Sequence, residues 1–113
     1  MSYRSTVDRS PSARSLPDHV PANRPLSATQ VSCFHVVAEA HPGAIGRLLE
    51  VVAKRGLVPS YLHSILGGRD GDELAVDLQV AGLDEATRTL VAAQLRAAVT
   101  VRTVLTSVKT FAD

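Results

Sequence analysis

Apolar residues recur along this chain at two spacings, every two residues as in a strand and about every 3.6 residues as in a helix. The order in which the two spacings follow one another limits the possible folds. Residues 31–39 have the β-branched and aromatic enrichment of a strand, and apolar residues then recur at helical spacing from Ile45 to Val52. Further strands are predicted over 60–66 and 74–80, a second helix over 87–98, and a last strand over 100–109. The predicted order is βαββαβ.

Two βαβ units joined by a central hairpin are typical of the ferredoxin-like sandwich, an α+β fold with a four-stranded antiparallel sheet and two helices on one face. Leu74, Val76, Leu78 and Val80 alternate strictly with other residues, which predicts a strand with one buried face. The other sheet face then has no helical cover. A core of this size is small, so we expect the chain to bury further surface in an oligomer.

Turn and capping residues indicate where the two helices end. Lys54 and Arg55 place cations in the last turn of the first helix, and Gly56 favours the left-handed cap conformation. Asp84 is predicted to cap the start of the second helix. The apolar face of that helix is assigned to Leu90, Val91, Ala93, Ala97 and Ala98.

The chain divides at residue 27 by composition. Residues 1–27 contain four of the six prolines and no glycine, so we expect a disordered or loosely attached tail. Residues 28–113 carry the apolar runs and form the predicted domain. Four arginines and two aspartates give the tail a charge of +2.

Composition excludes several classes of function. A net charge of +1 is far from the basic surface that nucleic-acid binding requires, and a single cysteine fits a reducing, cytoplasmic location. Without a long apolar run, neither a membrane span nor a secretion signal is expected. We expect no cofactor.

One segment and the end of the chain carry a resemblance to a known family. Residues 39–56 (EAHPGAIGRLLEVVAKRG) resemble the signature of the ACT regulatory domain, in which a Pro-Gly loop connects a strand to an aliphatic helix. This segment and residues 94–104 (QLRAAVTVRTV) are most similar to the small regulatory subunit of acetolactate synthase, in its short single-domain form. The resemblance covers residues 31–108.

The resemblance implies a non-catalytic regulatory subunit of branched-chain amino-acid biosynthesis. Such a subunit forms a homodimer through its sheet and activates or stabilises the large catalytic subunit of acetolactate synthase. Amino-acid effectors in the family bind between the loop of one copy and the second strand of the other. By position, the implied effector-binding residues are His41, Pro42, Gly43, Ala44, Ile45, Val58 and Pro59.

The physical chemistry of the loop agrees with a carboxylate ligand, because a glycine at a helix start allows close approach to backbone N–H groups. Valine-responsive members of the family commonly have asparagine at the positions of His41 and Val58. Val58 cannot hydrogen-bond through its side chain, and Pro59 lacks a backbone donor. Each missing charge-assisted bond costs about 1.5–3 kcal/mol, so valine is expected to bind poorly.

Two alternatives to this function are a stand-alone ACT-type amino-acid sensor controlling another metabolic enzyme and an enzyme in its own right. The enzyme is disfavoured, because the sequence shows no convergent set of acid-base or nucleophilic residues. Cys33, His35 and His63 are candidate metal ligands if their strands are neighbours, although their spacing is not that of a typical metal motif. Residues 67–71 resemble a phosphate loop only superficially and are predicted to form a hairpin turn.

Overall fold

The computed structural model describes residues 29–111, and the predicted tail over 1–27 lies outside them. The elements follow the predicted order: β1 (Thr29–Glu39), α1 (Ala44–Ala53), β2 (Tyr61–Gly67), β3 (Glu73–Ala81), α2 (Glu85–Arg96) and β4 (Val101–Phe111).

The four strands form one antiparallel sheet in the order β2-β3-β1-β4, so β2 and β4 are its edges. Both helices pack on one face. This arrangement is the predicted ferredoxin-like βαββαβ sandwich, and the prediction of the fold class is confirmed.

The core lies between the helices and the even-numbered residues of the two central strands. Phe34 and Val36 from β1 and Val76 and Leu78 from β3 are at most 1% exposed. The alternating residues on the opposite face are half-buried, as the period of β3 predicted. Buried Ser32 on β1 is satisfied because it accepts a 2.9 Å hydrogen bond from Nε of Arg88 on α2.

The helix α2 buries only part of the predicted apolar face, because Val91 is buried as predicted but Leu90, Ala93 and Ala97 are exposed. Val91, Ala92 and Leu95 are its buried residues, whereas Leu90 is 43% exposed. The helix begins two residues before the predicted start, and its several alanines fit more than one apolar face. Packing against the sheet therefore selects the buried face, which the periodicity of α2 left ambiguous.

The loop and cap predictions are confirmed in most details. Asp84 caps α2 through a 2.8 Å hydrogen bond from the Thr87 amide, and Gly56 has a φ of 72°. Lys54 is the C-cap and Arg55 follows it, so the predicted cations lie just past the last turn of α1. Residues 67–71 are part of the β2–β3 hairpin, as predicted.

None of the helices within residues 29–111 is long and apolar enough to cross a membrane.

Candidate functional site

The predicted effector loop connects the end of β1 to the start of α1. It is fixed at both sides, because the Ala40 amide donates to the Asp72 carbonyl at 3.0 Å and the Ala44 amide donates to the His41 carbonyl at 2.9 Å. Asp72 belongs to the β2–β3 hairpin, so the loop and the hairpin lie at the same end of the sheet. The loop is thus a pre-formed part of the fold.

The backbone amides at the start of α1 differ in whether they already have a hydrogen-bond acceptor. The Gly43 N–H donates to Nδ1 of His41 at 3.0 Å, which requires that Nδ1 carry no proton. For the amides of Ile45 and Gly46, the described part of the chain supplies no acceptor. These two N–H groups lie at the positive end of α1 and suit a carboxylate.

A cation stands beside the same helical turn. Nε of Arg47 is 3.8 Å from the position that a Cβ atom on Gly43 would occupy, and the His41 ring is 3.5 Å from that position. Arg47 is exposed on the solvent side of α1, and its side chain also approaches the loop. The helical spacing of the sequence does not predict that the Arg47 side chain approaches the loop.

An apolar pocket of about 320 Å³ adjoins the loop. It is lined by Ala40, His41, Pro42, Ile45, Leu66 and Leu74. Three predicted effector residues are therefore brought together at one cavity. Leu66 and Leu74 were missed, although their pairing follows from the register of the hairpin once its turn is known.

Two predicted residues of the loop have a smaller role in this geometry. The Ala44 side chain is fully buried in the core, and its amide already binds the His41 carbonyl. Gly43 has a φ of −90°, which other residues also adopt, so this turn does not depend on glycine for its backbone conformation.

Val58 and Pro59 do not approach the loop within one chain. They precede β2, which begins opposite Gln79 and ends opposite Glu73. These partners are six residues apart, which corresponds to about 20 Å along a strand. A site that uses the loop together with Val58 and Pro59 therefore requires a second copy of the chain.

The edge strand β2 is exposed over almost its whole length. Leu62, Ile65 and Leu66 are 40%, 56% and 63% exposed. An edge strand with outward-facing amides and carbonyls and exposed apolar side chains is a template for pairing with another strand.

The uncovered sheet face carries a polar row across three strands. Nδ1 of His35 is 2.7 Å from Oδ1 of Asp77, and His63 lies opposite Asp77 on the other side. Because β3 separates β1 from β2, the predicted metal candidates His35 and His63 are not neighbours. Over residues 29–111, no cluster of three or more potential ligands can hold a metal ion.

The fold and the loop define a small regulatory-type domain, and sequence comparison identifies the family. A family model described as an ACT-like domain matches residues 25–111, which is most of the chain. The protein therefore belongs to the ACT-like domain family. ACT domains are regulatory and non-catalytic, and they commonly dimerise and bind regulated enzymes and amino-acid effectors. Comparison with curated protein sequences gives no significant match.

Solved structures share the fold at low sequence identity. The ACT domain from GTP pyrophosphokinase of Chlorobium tepidum is 17% identical with a TM-score of 0.57, and the match covers 68% of this chain and 96% of that one. The C-terminal domain of the MgtC protein from Mycobacterium tuberculosis is 15% identical with a TM-score of 0.58, covering 71% and 87%. The regulatory subunit of aspartate kinase from Thermus thermophilus, in a ligand-free form, is 9% identical with a TM-score of 0.54, covering 72% and 55%. At these identities the likeness concerns the fold alone.

Proposed function

We propose that this chain is a non-catalytic ACT-type regulatory subunit that binds a small amino acid between two copies of itself. One copy contributes the loop from His41 to Ile45, and the other contributes Val58 and Pro59. The observation that carries the proposal is the position of these two groups at opposite ends of the exposed edge strand β2.

Antiparallel pairing of two β2 edges would bring the two groups together. In such a pair, the start of one β2 lies beside the end of the other, because the strands run in opposite directions. Val58 and Pro59 of the second copy would then lie near Leu66 and the loop of the first. The two-fold symmetry creates two equivalent sites.

The chemistry of the loop favours an amino acid with an aliphatic side chain. The amides of Ile45 and Gly46, with the Arg47 guanidinium nearby, suit the carboxylate, and the apolar pocket suits a short hydrocarbon side chain. Neither Val58 nor Pro59 has a side-chain acceptor for the α-ammonium group of such a ligand. We therefore propose that valine binds weakly.

A screen of all twenty amino acids by thermal shift tests effector binding. A ligand at about 100 times its Kd should stabilise the fold by about 2.7 kcal/mol. The Gly46→Asp variant should lose that response, because its carboxylate repels the ligand carboxylate. Gly46→Ala is the matched control, since a Cβ at residue 46 meets no atom within 4 Å. A flat response of the wild type to every amino acid would remove the effector proposal.

For the catalytic partner, we propose the large subunit of acetolactate synthase. The support is the similarity of residues 39–56 and 94–104 to the small subunits of that enzyme. Co-purification with the thiamine-dependent large subunit and a rise in its activity are the expected results. Absence of association at micromolar concentrations would contradict this partner and would favour a sensor that acts on another enzyme.

A further inference from the structure

A groove lies between α1 and the C-terminal end of α2, together with the residues that follow α2. Its volume is about 790 Å³, more than twice that of the pocket at the loop. Its lining residues are Arg47, Glu50, Val51, Lys54, Arg55, Gln94, Ala97, Ala98 and Val99. A groove of this volume is large enough to bind another molecule.

Small apolar residues form part of the groove, and a larger apolar side chain is exposed at its edge. Val51 and Ala98 are half-buried, whereas Val99 is 84% exposed. Val99 is thus the most exposed large hydrophobic residue that the structure describes. Together with Val51 and Ala98, Val99 gives the groove a continuous apolar surface on which a bound segment can pack.

The polar residues of the groove are mostly cationic. Arg47, Lys54 and Arg55 lie at positions i, i+7 and i+8 along α1, its C-cap and the next residue, so they follow one side of the groove for about 12 Å. Glu50 is the only carboxylate in the lining, and its Oε2 is 3.9 Å from Nζ of Lys54. In the described range, no carboxylate forms an ion pair with Arg47 or Arg55.

One of these cations is held in place. Nε of Arg55 donates to Oε1 of Gln94 at 3.0 Å, which connects the end of α1 to α2 across the groove. A guanidinium that is already positioned loses less conformational entropy when it binds a carboxylate.

Charge complementarity indicates which of several possible occupants the groove can bind. The chain's own N-terminal segment, residues 1–27, carries a charge of +2 and is repelled by three cations. A β2-paired dimer joins the sheets at their edges, on the other layer of the sandwich, and leaves the groove open. The complementary occupant is an anionic segment with apolar side chains.

We propose that the groove between α1 and α2 is the docking site for an acidic segment of a partner protein, whose apolar side chains pack on Val51, Ala98 and Val99. Arg47, Lys54 and Arg55 pair with its carboxylates. This site shares Arg47 with the effector loop, whereas Lys54 and Arg55 belong to the groove alone.

The experiment uses a labelled synthetic peptide of glutamate and leucine residues, and a second peptide with lysine in place of each glutamate. The fluorescence anisotropy of each labelled peptide is measured while the full chain is added. It should show binding of the acidic peptide only. The Lys54→Glu and Val99→Ser variants should each weaken it, with about a tenfold loss for the charge reversal. Amide chemical-shift changes should concentrate at the groove residues of α1 and α2.

Arg102→Glu is the matched control, because Arg102 is an exposed cation on β4 outside the groove and gives the same change in net charge. It should bind the acidic peptide as the wild type does. Circular dichroism confirms that each variant is folded. The proposal is overturned if the acidic peptide does not bind, if Arg102→Glu weakens binding as much as Lys54→Glu, or if the shift changes lie on the sheet.

Discussion

At the scale of single residues, Asp84 shows how a local signal in the sequence becomes a stabilising contact. Hydrogen bonds from the hydroxyl and the backbone amide of Thr87 lower the pKa of Asp84 below its usual value of 3.8. The carboxylate is therefore more favourable in the folded chain than in the unfolded chain. Its stabilising effect is present above the unfolded pKa and is lost as the pH falls through the lowered folded pKa.

We expect Asp84→Ala to lower Tm at neutral pH, and the difference from the wild type to narrow as the pH falls below about 4. Asp84→Asn should retain much of the cap. Because neither asparagine nor alanine titrates, the difference in Tm between Asp84→Asn and Asp84→Ala should not depend on pH. Thermal unfolding monitored by circular dichroism between pH 2 and 7 measures this, over a range set by the usual carboxyl pKa. Asp70→Ala, in the exposed hairpin loop, is the control. A constant difference across that range would contradict the assigned role.

Two neighbouring glycines in the hairpin differ in what they tolerate. Gly68 has a φ of +83°, and a Cβ there would lie 2.7 Å from Oδ1 of Asp72 and 2.9 Å from Cβ of Glu73. A Cβ on Gly67 would meet nothing within 4 Å. Gly68→Ala should therefore destabilise the fold by more than about 1 kcal/mol, and Gly67→Ala by less. Chemical denaturation measures both variants, and equal effects would show that the hairpin relaxes around the added methyl group.

At the scale of secondary-structure elements, the sequence predicts the buried face of an element when its apolar residues recur with one consistent period. The strict alternation of β3 specifies its buried face, and the aliphatic residues of α1 define one side of that helix. The helix α2 is different, because its alanines allow several apolar faces and only the packing against the sheet selects one. Long-range contacts such as Arg88 with Ser32, 56 residues apart, leave no periodic signal in the sequence.

The corrected face of α2 makes a prediction that separates two leucines of the same helix. Leu95 is fully buried, and Leu90 is 43% exposed. Leu95→Ala should destabilise the fold by about 2–5 kcal/mol, because it leaves a cavity in the core. Leu90→Ala should cost less than about 1 kcal/mol. Urea denaturation of both variants measures the difference, and the reverse ranking would restore the face assigned from the sequence.

Pairing through the edge strand β2 can be separated from pairing through the open sheet face. Ile65 on β2 and Leu105 on β4 are both exposed residues of edge strands and both lie on the open face. Ile65→Lys should shift the chain from dimer to monomer, because two lysines meet near the symmetry axis and repel. Leu105→Lys should leave the dimer intact.

Size-exclusion chromatography with light scattering measures the oligomeric state of these two variants. Loss of the dimer in both would indicate that the open faces pack together. Loss only in Leu105→Lys would indicate pairing through β4.

At the scale of the whole molecule, the residue pattern alone points to the loop of the proposed site, whereas Val58 and Pro59 are implicated only by the resemblance to the family. The loop from His41 to Ile45 is continuous in the chain and is predicted from its residues and its resemblance to the family. Leu66 enters the pocket only through the hairpin register, and Val58 and Pro59 reach the loop only through a second copy. A site divided between copies has no local pattern that a single sequence can display.

The proposed division of the site between two copies predicts that effector binding and dimerisation depend on each other. In the monomeric Ile65→Lys variant the loop is unchanged, but the facing residues of the second copy are missing, so the stabilisation by an effector should fall sharply. Leu105→Lys should keep the full response, which isolates the effect of dimerisation from that of the added charge. The reciprocal result is that each bound effector should strengthen the dimer by the same factor by which dimerisation strengthens binding at that site. Thermal shift and light scattering, each with and without the effector, measure the two sides of this linkage. If the monomeric variant keeps an undiminished response, the pocket of one copy is sufficient and Val58 and Pro59 do not belong to the site.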